Sequence, residues 1–257
     1  MMVDSEPDRA SAADSAAARL AAVRKRIELA CVAASRAPQS VALLAVSKTW
    51  DAARVLELAA LGQHAFGENY LQEALAKIEA CSNQAPAGLQ WHFIGPIQSN
   101  KTRPIAAHFD WVHSIDREKI AIRLSEQRPA GHSPLQVCIQ VNVSGELSKS
   151  GCEPQETVAL ALAIARLPQL HLRGLMTIPE PTADLALQRA RFAGLNALYG
   201  QVKAALASIS PEAAARFDTL SMGMSDDLEA AIAEGATLVR VGTALFGRRP
   251  AVVRPSP

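Results

Sequence analysis

The chain has 257 residues, of which 49% are hydrophobic, and its 26 basic and 25 acidic residues leave a formal net charge of +1. This length suits one large domain or two small ones, and the apolar content is enough for a sizeable core. The near-neutral charge argues against a nucleic-acid or membrane-surface protein, and the 4% aromatic content argues against a surface on which bases stack.

The two ends of the chain differ in composition from the region between them. Residues 1–12 are acidic and rich in small residues, without an apolar signal-peptide core, and we expect them to form a disordered tail. We expect the proline-rich residues 249–257 to be flexible as well, which leaves one domain over 13–248. No apolar stretch approaches the roughly 18 residues that span a bilayer. Four widely spaced cysteines indicate a reducing, cytoplasmic compartment without disulfides.

Apolar runs alternate with amphipathic segments after an N-terminal helix that the periodicity predicts over 14–36. The predicted strands are 41–46, 64–67, 89–95, 110–115, 135–143, 171–178, 216–223 and 237–242. The helices between them are predicted over 51–61, 69–80, 98–107, 116–128, 154–167, 183–206 and 225–235, with Pro104 expected to shorten the third. Asp51 and Ser225 are the expected N-caps of two of these helices, and Gly235 is the expected residue after the last helix.

Strands that alternate with helices indicate parallel pairing in βα units. Eight such units in about 200 residues predict a single (β/α)₈ TIM barrel with an extra N-terminal helix. An open, doubly wound sheet is the alternative. In the barrel, the active site forms where the strands end at their C-terminal side.

Small and polar residues follow the predicted strands at this end of the barrel. Lys48 comes first, just after the apolar run VALLAV, although a lysine in that position is most often a solvated loop residue. The other residues at the strand ends are Gly67, Glu68, Asn69, His92, Gly95, His113, Ser114, Asn142, Ser144, Met176, Ser221, Met222, Gly223, Arg240, Gly242 and Thr243.

The segments TLSMGMSDD and VRVGTALFG, after the last two strands, have the composition of a phosphate-binding site. Gly223 and Gly242 allow backbone N–H groups to approach an anion, and Ser221 and Thr243 add hydroxyl groups. Ordinary turn and capping chemistry is the alternative for either segment alone. An amine and a phosphate site in one barrel mouth together suit a phosphorylated aldehyde such as pyridoxal 5′-phosphate (PLP). Arg240 would then meet the ring nitrogen, unless it forms a salt bridge at the rim.

Seven ordered blocks carry a resemblance to a known family. They are AVSKTW, FGENYLQEA, WHFIGPIQSNK, VHSID, VNVSGELSKSGC, RGLMTIP and LSMGMSDDLEAAIAEGATLVRVGTALFG. From about residue 15 to 248 the chain closely resembles the YggS/PROSC family of pyridoxal phosphate homeostasis proteins. The resemblance implies a barrel like the N-terminal domain of alanine racemase.

The resemblance also implies a role for individual residues. The lysine that carries PLP as a Schiff base corresponds to Lys48, and a cofactor-contacting asparagine corresponds to Asn69. The phosphate site corresponds to Ser221, Met222, Gly242 and Thr243, and the contact to the ring nitrogen to Arg240.

Other residues have weaker claims to a site. The six histidines lack the spacing of metal ligands, so no metal is expected; His92 and His113 are expected to be hydrogen-bonded core or rim residues. The polar segment 144–151 is either a mobile lid or a solvated turn, and its Lys149 is a candidate secondary amine for the aldehyde.

Two classes of function fit these residues. The first is a non-catalytic, monomeric protein that stores, buffers or delivers PLP, with apo forms of PLP-dependent enzymes as candidate partners. The second is a PLP-dependent amino-acid racemase, which needs an acid or base on each face of the substrate. Lys48 would serve one face, and Tyr70 is the sole local candidate for the other, because Tyr199 falls in a predicted outer helix. A guanidinium at the ring nitrogen also leaves the ring neutral and a poorer electron sink. We therefore favour the carrier.

Overall fold

The computed structural model describes residues 15–247 except 83, 87 and 145–149. The two predicted tails and Lys149 lie outside the described residues, as does most of segment 144–151. The first described element is helix α1, Ala16–Ala33, which begins at the N-cap Ser15. Its buried stripe, which includes Leu20 and Ile27, confirms the predicted N-terminal helix.

Eight parallel strands close into a barrel in chain order, so that each strand pairs with its sequence neighbours and the last pairs with the first. The strands are β1 Ala42–Val46, β2 Ala65–Glu68, β3 Gln90–Phe93, β4 Trp111–Ile115, β5 Leu135–Gln140, β6 Leu170–Met176, β7 Thr219–Ser221 and β8 Leu238–Val241. This closure confirms the predicted (β/α)₈ barrel and excludes the open sheet.

Helices follow the strands and cover the barrel. After α1 they are α2 Ala52–Ala60, α3 Leu71–Ser82, α4 Thr102–His108, α5 Glu118–Gln127, α6 Thr157–Ile164, α7 Leu185–Ala207, α8 Pro211–Arg216, α9 Leu228–Ala233 and α10 Thr243–Phe246. No helix in the described part of the chain is both long and apolar enough to cross a membrane. The four cysteines are buried free thiols, and Cys138 is fully buried.

Several local predictions need correction. Seven of the eight strands are shorter than predicted, and β2 is as long as predicted but shifted by one residue. The predicted strand over 216–223 contains only β7, because α8 ends at Arg216. Asp227 rather than Ser225 is the N-cap of α9, whereas Asp51 caps α2 as predicted. Pro104 lies in the first turn of α4, where a backbone N–H has no intrahelical partner, so it does not interrupt that helix.

Two separate apolar clusters divide the core. The larger one joins the outer faces of the strands to the helices, and the smaller one consists of Leu44, Val46, Ile94 and Leu238. Leu44 is paired in register with Arg240, so both side chains lie on the same face of the sheet. The barrel interior is therefore part apolar and part polar.

Candidate functional site

A cleft of about 240 Å³ opens at the C-terminal end of the barrel. It is lined by Val46, Lys48, Asn69, Ile94, Ile178, Met224, Ser225, Asp226, Arg240, Gly242 and Thr243. A larger groove of about 470 Å³ lies outside the barrel against α1, α7 and α9. We assign the site to the smaller cleft because ligands of parallel barrels bind at the C-terminal ends of the strands.

The cleft brings together five of the seven residues predicted for the site: Lys48, Asn69, Arg240, Gly242 and Thr243. Ser221 and Met222 do not line it, and both are fully buried. The Met222 backbone N–H donates to the Leu238 carbonyl, so this donor is used within the protein. The predicted phosphate contacts of these two residues stay predictions, and the cleft itself offers Ser225 in their place.

Lys48 lies on a tight turn that directly follows β1. The strand ends at Val46, Ser47 is fully buried, and the Lys48 side chain reaches the cleft. Thr49, the next residue, has a φ of +70°, in the left-handed region that β-branched residues rarely adopt. The turn thus directs Lys48 toward the cleft through a backbone conformation that neighbouring groups must hold.

Arg240 is 3% exposed and is held by neutral acceptors. Its guanidinium donates to the Ser221 carbonyl at 2.6 Å, to the Ser221 hydroxyl at 2.9 Å and to the Thr177 carbonyl at 2.8 Å. Burial lowers the pKa of Arg240 to about 10, which still leaves it charged at neutral pH. The alternative of a rim salt bridge is wrong for the described residues, because none of these partners is a carboxylate.

A chain of buried hydrogen bonds continues from Arg240 into the barrel. Ser221 Oγ lies 2.9 Å from His113 Nδ1, and His113 Nε2 lies 2.9 Å from His92 Nδ1. Burial lowers the pKa of His92 to about 3, and burial together with His92 and Arg240 lowers the pKa of His113 well below its usual value. Both rings are therefore neutral, hydrogen-bonded core histidines, as predicted, and they fix the hydroxyl that Arg240 contacts.

Asn69 follows β2 and is set in place by Gly95. A Cβ atom at Gly95 would lie 2.3 Å from the Asn69 carbonyl oxygen, so only glycine permits this approach. The Asn69 side-chain oxygen is buried without a hydrogen-bond partner in the described structure, although the residue lines the cleft. An orphaned amide oxygen in a cleft that a lysine also lines is the arrangement expected where a polar ligand supplies the missing partner.

The opposite wall of the cleft consists of the segment after β7 and the start of α10. Gly223 has a φ of +93°, and Asp227 Oδ1 accepts the Met224 N–H at 2.5 Å, so this segment is folded tightly. Arg26 of α1 supports it from outside by donating to the Ser225 carbonyl at 3.0 Å. Met224, Ser225 and Asp226 belong to the segment TLSMGMSDD, which the sequence predicts for the phosphate, whereas no sequence pattern indicated Ile94 or Ile178 in the cleft.

The two tyrosines considered as a second base lie elsewhere. Tyr70 is 55% exposed and is not among the residues that line the cleft. Tyr199 donates to the Phe217 carbonyl at 2.5 Å on the outer side of the barrel, and burial raises its pKa to about 12. Within the described residues, no group of histidine, cysteine or acidic side chains is placed to hold a metal ion.

Comparison with known proteins identifies the family. The profile of the alanine racemase N-terminal domain matches residues 18–250. The pyridoxal phosphate homeostasis protein of Pseudomonas aeruginosa is 62% identical over 233 residues, which cover 91% of this chain and 95% of that protein. The chain belongs to the pyridoxal phosphate homeostasis protein family. The family member from Escherichia coli is 49% identical over 237 residues, covering 90% of this chain and 95% of that protein.

Solved structures agree with this family and with the barrel. PipY from Synechococcus elongatus, solved with PLP bound, is 38% identical, with a TM-score of 0.76 and coverage of 91% of this chain and 100% of that one. Alanine racemase from Corynebacterium glutamicum, at 17% identity and a TM-score of 0.60, shows the shared fold alone. This chain covers 62% of that racemase.

Proposed function

We propose that this homeostasis-family protein binds PLP in the cleft through Lys48 and takes part in PLP storage, buffering or delivery. The observation that carries the proposal is the pairing of the Lys48 amine with the Gly242–Thr243 wall across one cleft. The orphaned side-chain oxygen of Asn69, which lines the same cleft, fits a polar ligand. PLP supplies an aldehyde that condenses reversibly with an amine, a phosphate group and a pyridine ring.

Each wall of the cleft has its own task. Lys48, which is half-buried, provides the amine. The Gly242 backbone and the Thr243 and Ser225 hydroxyls provide the neutral donors that a phosphate needs. Arg240 presents a fixed positive charge, which opposes protonation of a pyridine nitrogen placed beside it.

A carrier fits the cleft better than a racemase does. Among the described residues that line the cleft, Lys48, Asp226 and Arg240 carry titratable side chains. Arg240 remains protonated and cannot act as a base. Asp226 lies beside Ser225 on the wall to which we assign the phosphate, rather than at the reacting carbon. Reversible exchange of PLP between Lys48 and an incoming amine needs only the one amine. We further propose a cytoplasmic monomer whose recipients are apo forms of PLP-dependent enzymes.

An absorbance titration tests this function. Wild-type protein titrated with PLP should develop a visible band that borohydride removes, and Lys48→Ala should fail to develop it. Lys203→Ala is the matched control, because Lys203 is an exposed lysine on the outer helix α7. A full visible band in Lys48→Ala would contradict the assignment, and turnover of L- or D-alanine by the wild type would favour the racemase.

A further inference from the structure

The strained turn next to Lys48 is held by side chains that do not reach the cleft. Glu73 Oε1 accepts the Thr49 N–H at 2.5 Å. Lys77 Nζ donates to the Ser47 carbonyl at 2.8 Å, and the Ser47 hydroxyl donates to Glu68 Oε1 at 2.5 Å. The residues on both sides of Lys48 are therefore fixed through their backbone or side chain.

The three side chains that hold the turn form one ion cluster, which we call the Lys77 triad: Glu68, Glu73 and Lys77. Lys77 Nζ lies 2.6 Å from Glu68 Oε1 and 3.0 Å from Glu73 Oε1. The Lys77 side chain is 3% exposed and that of Glu68 is fully buried, while Glu73 is 33% exposed. A lysine this deeply buried is rare unless it is paired, and the cluster joins α3 to the ends of β1 and β2.

The Lys77 triad does more than stabilise helix α3. A Glu–Lys pair four residues apart on an exposed helix stabilises it only slightly. Here, however, one glutamate and the lysine turn inward and bond to the backbone around Lys48. Burial raises the pKa of Glu68, and its contacts with Lys77 oppose part of this rise.

We propose that the Lys77 triad is a positioning device that holds the Lys48 amine where it meets the PLP aldehyde; this inference rests on the proposed function. The lysine side chain has four flexible carbons, so the direction of its amine depends on the backbone that carries it. Holding a reacting group in place raises its effective concentration toward its partner. The triad contacts the turn and not the cofactor, so its members are positioning residues.

Binding of two ligands distinguishes a positioning role of the triad from a general effect on folding. PLP reports on both the cleft and the reaction with Lys48, whereas 4-deoxypyridoxine 5′-phosphate lacks the aldehyde and reports on the cleft alone. Glu73→Ala should weaken PLP binding about fivefold, because it removes a charge-assisted hydrogen bond to the turn, and should leave the analogue unchanged. Glu73→Gln keeps an acceptor for the Thr49 N–H and should restore PLP binding.

A second variant tests the strain directly. Glycine adopts a φ of +70° at no steric cost, so Thr49→Gly should reduce the effect of Glu73→Ala on PLP binding.

If Glu73→Ala weakens both ligands equally, or weakens neither, the triad does not position Lys48 and the inference is overturned. A wild-type protein that binds PLP no more tightly than the analogue would instead contradict the proposed function itself. Because Glu73 is partly exposed, Glu73→Ala removes no core packing, and a thermal melt checks that it folds.

Discussion

The two sides of the barrel that flank the cleft each contain a buried cation, and the two cations have opposite kinds of partner. On the side of β1 and β2, Lys77 is paired with two carboxylates, and the cluster fixes the turn that carries Lys48. On the side of β7 and β8, Arg240 is surrounded by carbonyls and a hydroxyl, with neutral histidines behind them. The charge of Lys77 is balanced by carboxylates, and its amine bonds to the backbone of the turn. The charge of Arg240 is not balanced by any of these neutral partners, so it is available to a ligand.

The largest expected effect comes from breaking the ion cluster. Lys77→Met leaves Glu68 buried without its cation, which should lower the free energy of unfolding by about 3 kcal/mol at pH 7. The loss should shrink at pH 5, because the raised folded-state pKa of Glu68 rises further in the variant and its carboxyl is protonated before the unfolded chain's is. Urea unfolding at the two pH values measures this, with the exposed Lys203→Met as control. A loss that is the same at both pH values would show that Glu68 does not depend on Lys77.

The next prediction distinguishes the role of the Thr243 hydroxyl from that of the Ser221 hydroxyl, both of which lie on the Arg240 side. PLP should bind at least about tenfold more tightly than pyridoxal, which lacks the phosphate. Thr243→Ala should narrow this ratio, because Thr243 lines the cleft. Ser221→Ala should weaken both ligands alike, because its hydroxyl contacts Arg240 and His113 inside the barrel. Calorimetric titration gives both affinities; a ratio narrowed by Ser221→Ala would place that hydroxyl at the phosphate after all.

A smaller effect should appear in the acid stability of the Arg240 side. The folded-state pKa of His92 is about 3, below the unfolded value of 6.5, so the unfolded chain binds the extra proton between these values. Stability that is present above pH 6.5 is therefore lost as the pH falls. Between pH 6.5 and pH 5.5, His92 should lower the free energy of unfolding of the wild type by about 1 kcal/mol. The free energy of unfolding of His92→Asn should fall by less over the same interval. Denaturant unfolding at each pH compares the two proteins, and equal losses would mean that His92 is not held neutral.

The smallest expected effect concerns the outer support of the Ser225 segment. Arg26 bonds to the Ser225 carbonyl and to Glu229 at 2.9 Å, but it is 39% exposed. Arg26→Gln should lower the free energy of unfolding by less than about 1 kcal/mol, because exposed ion pairs contribute little. PLP affinity should change by less than twofold, a result that Lys25→Gln, at a neighbouring exposed position on α1, should match. A large loss of affinity would mean that α1 shapes the cleft.

The barrel and most of the cleft could be predicted from the sequence. Apolar runs set the eight strands, and parallel pairing brings their ends together, so Lys48, Asn69, Arg240, Gly242 and Thr243 could be placed in one mouth. The exact bounds of the strands could not be predicted, because an apolar run does not show which of its residues form hydrogen bonds with the neighbouring strand.

The supporting groups escaped prediction for a different reason. Glu68 follows the pattern of a polar strand end, and Lys77 follows that of a solvent-facing helix residue, yet both are buried. Only their partners make burial tolerable, and partners on separate elements leave no pattern in the chain. The four-residue spacing of Glu73 and Lys77 was the one visible sign. The phosphate contact of Ser221 stays a prediction, since the sequence could not show that its hydroxyl contacts Arg240 and His113.

The most direct test of the account is a crystal structure of the protein grown with PLP. We expect continuous density from the Lys48 amine to the ring. The ring nitrogen should face Arg240, Asn69 should contact the ligand, and the phosphate should lie against Gly242, Thr243 and Ser225. Density joined to a different lysine, or a phosphate that points away from this wall, would contradict the account.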